Sequence, residues 1–333
     1  MTALWLMSIL CVGTMGYAIQ RGATCTVAAV DEVLTHGTAH RLKALLEAAL
    51  WVAGGLALAQ VLHLAGSMPA GYPVGAWTAV GGVLLGFGAW INRACVFGAI
   101  ARLGSGEWAY LLTPIGFYVG CLTAMSLFPR PALIPLAEAS PLFQVATPLS
   151  ALFVLFVLWR VRPALHALRR PDRTAWLKQT VWAPHAATIV IGVSFVILLL
   201  LAGRWAYTDV LIDLARGSDG MDSSGGMPVR WLPLLLLAAL YLGALLGGLT
   251  AGRWQHTRPR PGQLLRCFVG GVAMAWGSLS IPGSNDGLIL VGLPLLRPYA
   301  WLAFASMCAS IALAIQIRRS LLARRAASRP AST

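Results

Sequence analysis

The sequence predicts an all-α integral membrane protein. It has about nine transmembrane helices and four short re-entrant helices, built as an inverted internal repeat with an hourglass-like central path. Three observations predict this. Of the 333 residues, 58% are hydrophobic and only 11% charged, with mean hydropathy +0.74, whereas soluble domains carry roughly twice that charged share. Apolar runs long enough to cross a bilayer recur along the whole chain. Finally, GGVLLGFGAWINRACVFGAI at 81–100 recurs, without gaps, as GGVAMAWGSLSIPGSNDGLI at 270–289. The offset is 189 residues, and the identical pairs are Gly81/Gly270, Gly82/Gly271, Val83/Val272, Gly88/Gly277, Gly98/Gly287 and Ile100/Ile289. Each copy is a Gly-rich apolar helix that stops, turns through polar residues and restarts, and internal duplication with broken helices is how many transporters are built.

A spanning helix needs about 20 mostly apolar residues. The runs at 3–19, 42–66, 73–91, 107–127, 145–161, 183–203, 230–251, 264–281 and 298–316 qualify. The first lacks a basic n-region and is followed by Arg21, so it reads as a span and not a cleaved signal peptide. Between the runs lie four shorter segments: 22–35, 93–103, 205–216 and 283–293. At about 1.5 Å per residue each is too short to cross, yet too apolar for an ordinary loop. Two readings stay open: an interfacial helix, or a re-entrant half-helix lodged in protein or lining a cavity.

The order span, short, span, span, short, span fills 3–127 and returns over 183–316, with the run at 145–161 as a linking span. The whole chain, 1–333, therefore reads as one transmembrane domain. Four crossings return the chain to its starting side. The linking span then starts the second copy from the other side, so the copies are inverted.

Charge tests this separately. The net charge is +14 and the pI about 10.4. In a soluble chain that would suggest nucleic acid. Here the basic residues sit between apolar runs, the signature of topology, and the partner is the lipid bilayer. With nine spans, Arg21, Arg41, Lys43, Arg93 and Arg102 fall inside. So do the loop residues Arg160, Arg162, Arg169, Arg170, Arg173, Lys178, Arg253, Arg258, Arg260 and Arg266, and the tail residues Arg318, Arg319, Arg324, Arg325 and Arg329. Only Arg130, Arg204, Arg216, Arg230 and Arg297 fall outside. The expected N-terminus is external and the C-terminus cytoplasmic, in the cell's inner (plasma) membrane.

Six cysteines form no CxxC pair and no Cys/His cluster with zinc spacing. No disulfide framework, metal site or cofactor is expected, and His36, His40 and His63 lack convergent partners. Cys11, Cys121, Cys267 and Cys308 lie mid-run, where cysteine acts as a small hydrophobe. Cys25 and Cys95 each lie at a polar break.

Those breaks carry the candidate chemistry. At the first, Arg21, Thr24 and Cys25 surround Gly22; Thr24 can cap a helix whose first turn holds Cys25. At the second, Asn92, Arg93 and Cys95 repeat the logic with a cap candidate, a cation and a first-turn cysteine. A helix N-terminus attracts anions and activates a thiol; the plainer alternative is a buried small residue. The outer counterpart is Pro282-Gly-Ser-Asn-Asp-Gly287, in which Ser284 aligns with Cys95 and Asp286 with Phe97, and Asn285 adds a hydrogen-bonding amide. Asp286 is also simply favourable at a helix start. The fourth break, Arg204-Trp-Ala-Tyr-Thr-Asp209, has no cysteine. Glu47 lies within a span and Glu107 begins one; intramembrane carboxylates often carry function, although Glu47 is little more than a turn from Arg41 and Lys43. No ATP-binding motif is present.

At Arg21–Cys25, Asn92–Gly98, Arg102-Leu-Gly-Ser-Gly-Glu-Trp108 and Pro282–Asp286, the chain resembles the YeeE/YedE family of sulphur-compound transporters. The likeness spans nearly the whole sequence. It implies nine spans with short inward-dipping helices, and uptake of thiosulfate or a related small sulphur anion into the cytoplasm. Cysteines at the constriction would pass the substrate along by S–H···S contacts without consuming it. Cys25 and Cys95 match family cysteines. The second half departs, with Ser284 in place of a cysteine and Asp286 beside it. A second reading is a non-transporting role: a membrane sulphur-transfer subunit in which Cys25 or Cys95 carries a persulfide to a soluble cytoplasmic sulfurtransferase. A third is a membrane partner protein with no pore.

Overall fold

The computed structural model describes residues 2–66, 68–127, 134–136, 138–168, 181–218, 231–252, 254–281 and 283–327. Arg130, Arg169, Arg170, Arg173, Lys178, Arg230, Arg253, Pro282 and Arg329, all part of the sequence argument, lie outside them.

Every one of the nine apolar runs forms a helix. The first half contains α1 (Thr2–Gly22), α2 (Thr26–His36), α3 (His40–Val61), α4 (Ala76–Asn92), α5 (Val96–Gly104) and α6 (Leu112–Leu127, entered through a 3-10 turn at Trp108–Leu111). A short turn, α7 (Pro141–Gln144), leads to the linking helix α8 (Ala146–Leu168). The second half contains α9 (Pro184–Ala202), α10 (Tyr207–Ser218), α11 (Trp231–Thr250) and α12 (Pro261–Ser280). It closes with α13 (Asn285–Gly287, continued as a π-turn over Leu288–Gly292) and α14 (Pro298–Ala327). Among the described residues, pairing between extended segments is limited to two isolated bridges, Gly71 to Leu136 and Glu107 to Thr257.

The local signals are ordinary ones. Pro184 and Pro261 open α9 and α12, where a missing N–H costs nothing. Gly37 closes α2 with φ +65°. Helix α14 runs past the predicted end at 316, because its basic residues prolong the helix beyond the apolar run.

Seven helical stretches among the described residues are long and apolar enough to cross a membrane. Two of them, Ala3–His36 and Ala76–Gly104, join a long helix to the short one after it. The pair α12 and α13, bent by 52° at the break, makes an eighth, and Ala146–Arg160 is a shorter apolar helix.

Glycine sets the packing. Without hydrophobic drive between helices in lipid, small residues allow close backbone approach. A Cβ at Gly81 would lie 2.9 Å from the carbonyl oxygen of Gly277, and one at Gly270 would lie 2.9 Å from that of Gly88. These are the glycines of the duplicated window: each end of α4 meets the opposite end of α12. The remaining contacts come in matching sets too. Helix α1 packs on α11 as α9 packs on α3, and α12 packs on α6 as α4 packs on α14.

The linking helix is tied down by charge. Glu47 on α3 accepts a hydrogen bond from Arg160 of α8 at 3.1 Å and is paired with His185 of α9. This carboxylate holds three helices together.

Candidate functional site

The starts of the short helices meet inside the bundle. Cys25, Cys95 and Ser284 occupy the position before α2, α5 and α13, each with extended backbone, and none caps its own helix through its side chain. The two cysteines thus stand one position earlier than the expected first turn.

Helices α2, α5 and α10 are capped from other segments instead. The N–H of Thr26, first residue of α2, donates to Cys95 Sγ at 3.2 Å. The N–H of Val96, first residue of α5, donates to Asn285 Oδ1 at 3.3 Å. In the first turn of α10, Thr208 donates its N–H to Asp286 Oδ2 at 3.3 Å and its hydroxyl to Oδ1 at 2.7 Å. A buried N–H left without an acceptor costs about 1–3 kcal/mol, so these bonds fix the helix starts to one another. They also account for Asp286. Both of its oxygens are committed to Thr208, and its charge lies at the N-terminus of α10, where an anion is favoured.

Cys25 and Cys95, 70 positions apart in sequence, are brought together here, for the N–H of the residue after Cys25 is the one that donates to Cys95 Sγ. Cys95 is fully buried and Cys25 is 8% exposed. Gly98 makes room for the pair: a Cβ there would lie 2.6 Å from Cys25 Sγ. Asn92 shapes the approach and does not line the opening. Its amide nitrogen donates to the Ala94 carbonyl at 2.8 Å, and its Oδ1 accepts from the Thr113 hydroxyl at 3.1 Å. Thr24 is buried beside Gly22.

Cys25 borders a cavity of about 400 Å³ whose wall carries Arg41, Arg93, Arg102, Arg318 and Arg319. Three of these are paired: Arg319 with Asp31 at 2.9 Å, Arg102 with Glu107 at 3.2 Å and Arg41 with Glu32 at 3.4 Å. Arg93 and Arg318 make no ion pair among the described residues, and they neighbour each other and Arg266. Asp31 lines the same cavity, so the wall carries five arginines against one acid; a concave surface with such an excess of one sign concentrates counter-ions. Arg93 itself sits at φ +58°, ending α4.

Arg21 stands elsewhere. Its guanidinium donates to the Tyr17 and Thr250 hydroxyls, each at 2.9 Å, and its carbonyl accepts from Trp182. It fastens the end of α1 to α11 and is not part of the cavity wall. The structure therefore brings Cys25, Cys95, Ser284, Asn285 and Asp286 to one place, with Arg93 in the vestibule beside it, and sets Arg21 apart. Arg41, Arg102, Arg318 and Arg319, read from sequence as inside-facing loop or tail charges, line the vestibule. No spacing in the sequence aims α14 at the first break; only the packing of α2 against α14 does so.

A bundle of apolar crossing helices, interrupted at buried polar breaks that open on a charged vestibule, is a multi-pass membrane transport protein. The sequence profile for sulphur transport matches residues 21–313, and the chain belongs to that family, the YeeE/YedE family of sulphur-compound transporters. No curated protein matches the chain.

Proposed function

We propose that this sulphur-compound transporter takes thiosulfate, or a closely related small sulphur anion, into the cytoplasm. The anion meets the thiols of Cys25 and Cys95 at the constriction. The observation that carries this reading is the meeting of those two thiols beside an arginine-lined vestibule. The wall attracts a dianion, and a thiol offers a weak S–H donor suited to a soft terminal sulphur atom. Thr24 and Asn92 hold the breaks in shape, Arg93 supplies charge, and Ser284, Asn285 and Asp286 form the facing wall. Arg21 acts indirectly, by anchoring α1.

In this reading residues 3–127 and 183–316 are inverted copies joined by the span at 145–161, in one domain of the inner membrane. The N-terminus is outside and the vestibule with the C-terminus is cytoplasmic. The paired contacts of the repeat glycines support the inversion. The test is uptake of labelled thiosulfate into liposomes containing only this chain. Cys25→Ala and Cys95→Ala are expected to lose at least ~10-fold in rate at normal abundance. Unchanged uptake in both would sink the thiol mechanism.

The position of Cys25 at the cavity edge favours a second reading. A Cys25 thiolate would attack the outer sulphur of thiosulfate, and sulfite would leave with the electron pair of the broken S–S bond. The resulting persulfide would pass to a cysteine of a soluble sulfurtransferase. Intact-mass measurement after thiosulfate exposure separates the two readings: a carrier gains one sulphur atom at Cys25, and a relay gains none.

A further inference from the structure

We propose that Thr26, Ser284 and Asn285 form a hydrogen-bonding subsite for the oxygen end of a sulphur oxyanion, set against Cys95. The inference rests on the transport reading above and assigns the part of the substrate that the thiols do not address.

Three observations carry it. The Thr26 hydroxyl, the Ser284 hydroxyl and the Asn285 Nδ2 are all buried, and none has a hydrogen-bond partner among the described residues. Thr26, Ser284 and Asn285 are each fully buried. Buried polar groups are nearly always paired, and an orphan costs about 1–3 kcal/mol, so three at the meeting of these breaks are a concentrated cost that a ligand's oxygens would remove.

Contacts tie Thr26 and Asn285, the neighbour of Ser284, to the Cys95 break. Thr26 touches Cys95 Sγ through its N–H, and Asn285 holds the N–H of the next residue, Val96. Because Val96 must donate, Asn285 presents its oxygen there and keeps its NH₂ group free for an acceptor. Two hydroxyls and an amide NH₂ can all act as donors, which suits an oxyanion better than a cation.

The two copies of the repeat differ in the space available. Beside Gly98, the Cys25 thiol fills the volume; beside its equivalent, Gly287, no heavy atom lies within 4 Å of an added Cβ. The neighbouring Gly283 is held at φ +128°, a conformation for glycine, and it too has no close neighbour other than Gly287. Ser284 and Asn285 are therefore flanked in sequence by two glycines with open space around them, in the copy that lacks a cysteine.

A site built to hydrogen-bond its substrate strongly rejects analogues that lack the matching atoms. The cysteines would then read the terminal sulphur and the three donors the sulfonate oxygens. The test is the KM of thiosulfate uptake in liposomes for Thr26→Val, Ser284→Ala and the conservative Ser284→Thr, alongside stabilisation of the purified proteins by thiosulfate, sulfite and sulfate. Thr26→Val and Ser284→Ala are expected to raise KM about ten-fold and to weaken stabilisation by all three anions, while Ser284→Thr stays near wild type. If wild type transports thiosulfate and both deletion variants keep KM within about two-fold, the subsite falls and the transport reading stands. If wild type transports none but is stabilised by an oxyanion in a Ser284-dependent way, the transport reading falls and the subsite stands. No transport together with no stabilisation overturns both.

Discussion

The Val96 N–H donates to Asn285 Oδ1 across 189 positions of sequence, and 189 is also the offset of the duplicated window. The residues that touch are thus the same position of the two copies. Equivalent positions meet only where a symmetry axis passes between them, so this bond marks the pivot of the proposed inverted repeat.

Removing that acceptor strands a buried donor. Asn285→Leu is expected to destabilise the protein by about 1–3 kcal/mol, read as a fall in Tm of roughly 2–10 °C in detergent. A Tm equal to wild type would show that Val96 finds another acceptor at no cost.

Gly98→Ala and Gly287→Ala form a matched pair. At Gly98 the new methyl would meet Cys25 Sγ at 2.6 Å, and at Gly287 it meets nothing within 4 Å. Gly98→Ala should displace the thiol and cut thiosulfate uptake by about ten-fold or more. Gly287→Ala should leave Tm unchanged. Equal Tm and equal uptake for both would contradict the asymmetry between the copies.

Closer packing is at stake along α4 and α12. Gly277→Val places new atoms where a Cβ alone would lie 2.5 Å from the backbone nitrogen of Leu85. Backbone cannot move aside as a flexible side chain does, so overpacking should cost about 1–3 kcal/mol or more. Reduced abundance and a lower Tm are the expected readouts. A wild-type melting curve would refute the tight crossing.

Arg93→Gln and Arg318→Gln remove charges that pair with no acid among the described residues. Each should raise the KM for thiosulfate several-fold, to about ten-fold. Each should also flatten the dependence of uptake on ionic strength, since screening acts on the charge that is lost. An unaltered salt dependence would mean that the vestibule does not steer the anion.

Glu47→Gln tests whether that carboxylate is structural. It leaves Arg160 and His185 without their partner. Stability should fall by about 1–3 kcal/mol, with the KM for thiosulfate unchanged. A change in KM without loss of Tm would place Glu47 in transport instead.

Much of this architecture was legible in the sequence. The nine apolar runs became helices, because run length and composition report membrane affinity directly. The breaks at Cys25, Cys95 and Ser284 were legible as well, because glycine and polar residues interrupt helices locally. Direction was the hidden variable. Arg21 and Arg93 look alike in sequence, each beside a cysteine-bearing break, but Arg21 turns to Tyr17 and Thr250 while Arg93 faces the vestibule. Arg318 and Arg319 reach the first break from nearly 300 positions away, a convergence set by how α14 packs and by nothing in their own neighbourhood. The pairing of Asp286 with Thr208 was equally invisible, since it joins residues 78 positions apart.

The exchange of caps among the short helices has a consequence for how such a protein can change over generations. Cys95 completes α2, Asn285 completes α5 and Asp286 completes α10. A substitution at any one of these residues is felt first by a helix it does not belong to. The cap between Asn285 and Val96 crosses from one half of the chain to the other, so the two halves cannot drift independently there. Selection at one break is transmitted to another, and a new substrate preference would be expected to arise through linked replacements at positions distant in sequence.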